Sequence, residues 1–323
     1  MKSKKKGIGK FTLLALAAIL IITLSFSFLN SGTAGCTNKI SDLLLDDSTR
    51  IQNPVYQVPI PETIDFAGEQ VPLYLFDVRE SLDRELQVNT YWHSQTVLLL
   101  KRANRYFPII EPILRERGVP DDFKYLAVAE SALTQAVSPS KAVGIWQILE
   151  GTAKELGLEI NNEVDERYHI EKSTHAACSF LIKSYNKYGN WTMAAASYNF
   201  GRNGIQRQME RQDNTDYYDM VLGEETGRYV YRILAFKAIF ENPIEYGFKF
   251  KPNELYPPLS YFEVQVDSAV VSLAQFSKHY STSYKMLKLL NPWLRESNLL
   301  NKAKKTYSIK IPKSDFRETA YDK

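Results

Sequence analysis

The stretch Pro120-Asp121-Asp122-Phe123-Lys124-Tyr125-Leu126-Ala127-Val128-Ala129-Glu130-Ser131 decides how this chain is read. Pro120 and the paired aspartates mark a helix start, where Asp121 or Asp122 can accept hydrogen bonds from the free N–H groups of the first turn. Phe123, Leu126 and Glu130 follow at i, i+3 and i+7, so they share one helix face. That spacing puts a carboxyl on an apolar face near the helix end. Taking a carboxyl out of water disfavours its charged form and raises its pKa. A raised pKa suits a group that must give up a proton near neutral pH. The same pattern also fits a buried glutamate neutralised by an arginine, and periodicity alone does not separate the two.

Outward from this helix the pattern stays helical. Leu82, Leu86, Val97, Leu98 and Leu100 predict amphipathic helices from about Asp77. A helix is expected over 105–118, entered near Pro108 and closed by Gly118, and another from Ala142 to Leu156, closed by Gly157. Ser173 to Tyr188, Trp191 to Asn199 and Glu225 to Glu241 predict three more, stopped by Gly189, Gly201 and Pro243. No strand pattern stands out between 77 and 243, so residues 77–250 read as an all-α domain. Pro252 to Pro258 form a linker. Beyond it, Phe262 to Val266 and Tyr307 to Ile311 alternate like strands around two short helices, Val270 to Tyr280 and Tyr284 to Leu290. Residues 260–313 are therefore expected to form a small, separate βααβ module, and the fold class is mainly α.

The N-terminus has the order of an export signal: Lys2, Lys4, Lys5, Lys6 and Lys10, then an apolar run from Phe11 to Leu29, then small residues up to Cys36. Residues 1–35 are read as that signal or anchor segment. Cleavage before Cys36 would leave a cysteine for lipid attachment; left uncleaved, residues 11–29 are long enough to cross a bilayer. Residues 36–76, marked by Pro54, Pro59 and Pro61, read as an extended linker or arm with little core of its own. Five of the 40 Lys and Arg lie in the signal segment, which leaves 35 against 37 Asp and Glu. A nearly neutral remainder carries no electrostatic footprint for nucleic acid. Two cysteines and four histidines, none at ligand spacing, give no disulfide framework and no metal site; Cys178, in an apolar helical pattern, reads as a buried hydrophobe. No cofactor is implied.

Four motifs follow one another in order: Glu130-Ser131, Gly144-Ile145-Trp146-Gln147, Ala196-Ser197-Tyr198-Asn199-Phe200-Gly201 and Glu225-Thr226-Gly227-Arg228-Tyr229-Val230. Together with Gln135 to Ser140 and Val164-Asp165-Glu166-Arg167, this order resembles the lytic transglycosylases, in particular the membrane-bound murein transglycosylase D type, over about residues 115–243. Ile145, Ser197 and Phe200 depart from the usual Leu, Ala and Ala; none removes a catalytic functional group, although Phe200 could narrow a subsite. The resemblance implies a lysozyme-like helical catalytic domain, a peptidoglycan substrate and an exported protein of the periplasm or cell envelope. It implies Glu130 as the single acid/base and Ser131, Gly144, Gln147, Tyr198, Asn199 and Tyr229 as substrate-binding residues. Ser131 would bond Glu130 or the substrate's N-acetyl region, or else simply cap the helix. Trp146 reads as core, Glu225 as structural, and Asp165, Glu166 and Arg167 as an ion-pair loop that supplies the nearest candidate second carboxylate.

The C-terminal module, with Asn291-Pro292 after its second helix, resembles a degenerate LysM domain in which Val266-Asp267-Ser268-Ala269 replaces the usual Gly-Asp-(Ser/Thr)-Leu turn. Such modules bind N-acetylglucosamine-containing glycans. Two other readings stay open: a lysozyme-type hydrolase, which would need a second carboxylate near Glu130 to place a water, and a non-catalytic wall-binding protein.

Overall fold

A computed structural model describes residues 55–314 and Arg317; the signal segment and Cys36 lie outside the described residues. A two-residue hairpin, β1 (Asp65–Phe66) and β2 (Glu69–Gln70), precedes eight helices: α1 (Phe76–Tyr91), α2 (His93–Glu116), α3 (Phe123–Ser131), α4 (Glu150–Glu155), α5 (Ile170–Tyr188), α6 (Trp191–Phe200), α7 (Arg202–Gln212) and α8 (Glu224–Glu241). The C-terminal module follows as β3 (Tyr261–Val266), α9 (Leu273–His279), α10 (Tyr284–Leu290) and β4 (Tyr307–Pro312), with β3 and β4 antiparallel and Val264 opposite Ile309. No helix among the described residues is long and apolar enough to cross a membrane.

Helix α8 is the axis of the helical part. Val230, Ile233, Leu234, Ala235 and Ile239 are all fully buried, and α8 packs against α1, α3 and α6. A helix apolar on most of its circumference belongs inside a core. Helix α3 runs beside it and ends at Ala132 in the left-handed conformation. Leu133, Lys141 and Gln147 also have positive φ, so four of the nine such non-glycine positions among the described residues fall between 132 and 147. Each position of this kind costs on the order of 1 kcal/mol, and this loop has to be held by its surroundings.

The segment before α1 is not a free arm. Val58, Ile64, Phe66, Val71 and Leu73 are buried in the main core, and the Phe66 ring meets Phe123 of α3 edge-on at 5.2 Å. The Glu69 carboxylate accepts from the backbone N–H groups of Trp191 and Thr192 and from the Thr192 hydroxyl, which caps α6 from outside. Asp122 accepts from the Ala67 N–H at 2.7 Å and pairs with the buried Lys237 of α8 at 2.8 Å. The expectation of a linker with little core therefore fails for residues 57–76: it has no core of its own but completes that of the helices.

Three further expectations are corrected. Residues 105–118 are not a separate helix, because Pro108 and Pro112 lie inside α2 and the buried face Leu99, Ala103, Ile110, Ile113, Leu114 runs through them without a break. The expected helix over 142–156 exists only as α4. Val143 bridges Val137 and Ile148 instead, with Lys141, Gly144 and Gln147 at positive φ. Helix α7 was not expected, since only Gly204 and Ile205 of its eleven residues are buried.

The C-terminal module is also not separate. The chain from Gln57 onward forms one compact unit. The module's core of Leu273, Leu287, Trp293, Leu294, Leu299, Ile309 and Ile311 includes Val143, Val164 and Tyr168 from the helical part. Backbone bonds from Asp165 to Trp293 (2.9 Å) and from Arg295 to Glu163 (2.7 Å) join the two, and the linker is pinned where Arg105 Nε donates to the Pro257 carbonyl.

Replacing Glu69 by Ala removes the acceptor of two backbone N–H groups and a hydroxyl, and is expected to lower stability by about 2 kcal/mol. Urea unfolding of both proteins measures this; a change within about 0.5 kcal/mol, typical of an ordinary surface position, would rule out the clamp.

Candidate active site

Glu130 sits one residue from the end of α3, half-buried, and among the described residues it forms no salt bridge. The Tyr229 hydroxyl, from the buried side chain of α8, donates to its Oε1. The reading of a glutamate shut in by an arginine is thereby excluded. Arg232, one helical turn on, acts only as a more distant charge. Burial pushes the Glu130 carboxyl up to about 7 from its usual 4.5; the Tyr229 bond opposes that rise, the negative charge of Glu225 adds to it, and Arg232 opposes it. Tyr229 and Tyr198 are themselves pushed well above the ordinary tyrosine range, first by burial and then by the Glu130 charge. Both hydroxyls therefore keep their protons.

The strained loop beside Glu130 is held through three consecutive carbonyls, each by a residue of a sequence motif. The buried Ser131 donates to the Ile145 carbonyl at 2.8 Å. The Gln147 amide donates to the Gly144 carbonyl at 2.8 Å and to that of Ala136 at 3.0 Å. The Tyr198 hydroxyl donates to the Trp146 carbonyl at 2.7 Å. The Ser131 hydroxyl, which also reaches the Ala127 carbonyl at 3.3 Å, thus ties the end of α3 to the loop. Trp146 is core as expected, fully buried, with its indole N–H on Thr174. Gly144, at φ +82°, faces the Arg167 carbonyl so closely that a Cβ would lie 2.2 Å from that oxygen. It serves the packing of loop on loop.

Asn199 closes the arrangement from the other side. Its amide donates to Glu225 at 3.2 Å, and its oxygen accepts from the Thr226 hydroxyl at 2.8 Å. The four motifs therefore form a chain of contacts: Glu130–Ser131 to the loop, the loop to Tyr198, Asn199 to the start of α8, and Tyr229 back to Glu130. A cavity of about 230 Å³ is lined by Gln147, Tyr198, Asn199, Phe180 and Phe200. Phe200 is 41% exposed, and its ring rests against Gly204, where a Cβ would come within 2.7 Å.

The second carboxylate was placed wrongly by sequence. Asp165 is locked in a two-pronged bond to Arg167, with Nε–Oδ1 at 2.9 Å and Nη2–Oδ2 at 2.7 Å, and Glu166 pairs with Lys172. They form the structural ion-pair loop. The carboxylate whose charge Glu130 feels is Glu225, exposed at the start of α8. Its place in Glu-Thr-x-x-Tyr-Val, one helical turn before Tyr229, was the signal available. Cys178 is buried in α5, and burial pushes its thiol up to about 12.

Two measurements test this geometry. Between about pH 4.5 and 7 folded Glu130 holds a proton that the unfolded chain has released, so its contribution to stability falls as pH rises through that window. Glu130→Gln keeps the neutral form at every pH. It is expected to match the parent in stability below pH 4.5 and to exceed it by up to about 3 kcal/mol above pH 7, read from urea unfolding across the range. Gly144→Ala is expected to cost at least about 2 kcal/mol, through both its positive φ and the clash with Arg167.

Comparison with known proteins gives the same frame. Residues 107–221 match the Transglycosylase SLT domain, and residues 262–315 match the Soluble lytic transglycosylase C-terminal LysM-like domain. The chain is 26% identical over 264 residues to the Membrane-bound lytic murein transglycosylase D of Escherichia coli strain K12, covering 79% of this chain and 56% of that protein. The same figures hold for the protein of that name from Escherichia coli O6:H1. A Putative tributyltin chloride resistance protein of Alteromonas sp. strain M-1 is 28% identical over 115 residues, covering 35% of this chain and 56% of that one. The chain thus spans about half the length of the curated relatives it matches. The SLT match holds Glu130, Gln147, Tyr198 and Asn199 but ends before α8, and the fold brings Tyr229 to the same site. The chain thus joins a transglycosylase SLT domain of lysozyme-like helical fold to a LysM-like domain, and it is similar to the lytic transglycosylases.

Proposed function

We propose that this protein cleaves the β-1,4 bond between N-acetylmuramic acid and N-acetylglucosamine in peptidoglycan strands, as a lyase that leaves a 1,6-anhydro end. The observation that carries this reading is the state of Glu130: in no salt bridge among the described residues, held by Tyr229, with its carboxyl pushed by burial up to about 7. Near neutral pH such a group is present in both forms, as one residue must be if it acts first as acid and then as base. Protonated Glu130 gives its proton to the glycosidic oxygen as the C1–O bond breaks. The substrate's own N-acetyl group supports the positive centre at C1. Glu130, now a carboxylate stabilised by the Tyr229 hydroxyl, takes the proton of the C6 hydroxyl, whose oxygen closes on C1. Protons balance, and no water enters. Gln147, whose amide N–H groups are spent on the loop, offers its side-chain oxygen to the substrate, and Tyr198 and Asn199 wall the adjoining cavity.

A hydrolytic variant has one observation in its favour, the charge of Glu225 near Glu130; an exposed carboxylate there could place a water. Its bond to Asn199 gives it a structural task already. The cell envelope, suggested by similarity to murein transglycosylase D and by the signal-like residues 1–35, is the compartment this reading implies. Anchoring through residues 11–29 or a lipidated Cys36 belongs to the same proposal, as does glycan binding by the LysM-like module.

Digestion of purified peptidoglycan by the protein from residue 37 onward tests the reaction, with released muropeptides weighed by mass spectrometry. Anhydro ends from the parent and none from Glu130→Gln are expected. Reducing ends that vanish in Glu225→Gln would establish hydrolysis instead. With Glu130 as the acid, kcat/KM is expected to fall about tenfold per pH unit well above pH 7, and Tyr229→Phe, which removes the bond that favours the carboxylate, should move that fall to higher pH.

A further inference from the structure

A second cavity, of about 300 Å³, lies on the seam between the helical part and the C-terminal module. Gln135, His169 and Glu171 line it from one side, Trp293 and Lys310 from the other. Two buried side-chain atoms that line this cavity, Gln135 Oε1 and Trp293 Nε1, lack a hydrogen-bond partner among the described residues. Trp293 is 2% exposed. His169 Nδ1 and Glu171 Oε2 lie 3.2 Å apart and serve as each other's partner. Burying a polar group without a partner costs roughly 1–3 kcal/mol, so an unpartnered donor and an unpartnered acceptor in one cavity call for something that satisfies both.

The charges at the seam are already spent. Lys310 pairs with the other oxygen of Glu171 and lies over the Tyr261 ring at 4.6 Å. Arg105 Nε donates to the Pro257 carbonyl, and its guanidinium lies over Tyr256 at 5.2 Å. What remains asks for a ligand without net charge. It must offer an acceptor to the Trp293 N–H, a donor to the Gln135 oxygen, and apolar surface to Leu259 and Leu289, which also line the cavity. The volume stands at the small end of ligand pockets and has room for one sugar unit but not for a strand.

We propose that this seam is a second saccharide site, shared by both parts of the chain, that takes a single acetamido sugar. One acetamido group carries a donor and an acceptor together, and ring hydroxyls supply the rest. The site is distinct from the cleft at Glu130, since none of the cleft residues lines it. It rests on the proposed function only for the choice of sugar. Gln135 links it to the cleft loop: its amide donates to the Tyr168 carbonyl, and its oxygen lies 3.5 Å from where a Cβ on Gly144 would sit.

The test is a titration of the Glu130→Gln protein with N-acetylglucosamine, followed through the tryptophan indole N–H resonances, with the Trp293 signal assigned by its loss in Trp293→Phe. A shift of that signal is expected, with a Kd on the order of 1 mM for a ligand this small, and no shift with glucose, which lacks the acetamido group. Leu259→Trp, which fills the cavity and leaves Gln135 and Trp293 in place, should weaken binding at least tenfold while its own unfolding midpoint confirms that it folds. An unmoved Trp293 signal would mean that water alone satisfies the seam. A shift with N-acetylalanine methylamide but not with the sugar would make it a peptide site; either result overturns the proposal. A protein that makes anhydro ends but leaves Trp293 unmoved sinks this inference alone, while a protein that shifts Trp293 but releases no anhydro ends sinks the proposed activity alone.

Discussion

The cleft depends on one constraint: a backbone loop in unfavourable conformations, residues 132–147, has to be kept in place beside Glu130. Its own residues do not favour the shape, since Ala132, Leu133, Lys141 and Gln147 all sit at positive φ. The carbonyls of Gly144, Ile145 and Trp146 are each taken by a different side chain, from Gln147, Ser131 and Tyr198. Most residues that the sequence nominated for sugar contact therefore also hold this loop, or hold one another. Residues at the site that hold one another and the loop in this way make it rigid without a large number of residues.

The electrostatics follow from that packing. A carboxyl placed among closely packed helices, with a tyrosine hydroxyl as its hydrogen-bond partner, is shifted by burial more than by any single charge. Had Arg232 been in contact, its charge would have favoured the carboxylate and offset more of the rise. The clamp of Asp122, Lys237 and Glu69 acts at the far ends of the same helices, fixing the start of α3 and the start of α6 against the segment before α1. Helix ends carry free N–H groups that must find acceptors; here those of α6 find one in a residue 122 positions earlier in the chain.

Helix α3 and its carboxyl were legible in the sequence because Phe123, Leu126 and Glu130 repeat at helical spacing, and the C-terminal module because its alternation is clean. The partner of Glu130 was not legible from residues alone. Tyr229 lies 99 positions away, and only the order of the motifs pointed to it. The loop 142–148 was misread because Ala142, Val143, Ile145, Trp146 and Ile148 are all buried, so its composition mimics a core helix while its dihedral angles do not. The segment 57–76 was misread for the opposite reason: its buried residues are irregularly spaced and leave no period to detect.

The seating of the C-terminal module has a consequence for how the molecule can be divided. Val143, Val164 and Tyr168 are shared with the module's core, and Glu159, Glu163 and Glu171 find partners in Lys305, Leu300 and Lys310. A protein cut in the linker after Tyr256 would bare that apolar face and strand three carboxylates on its border. Exposed apolar surface of this kind promotes association, so the shortened chain would lose solubility before it lost chemistry. The boundaries at which these domains are recognised in sequence, 221 and 262, are marks of ancestry rather than places where the folded chain comes apart.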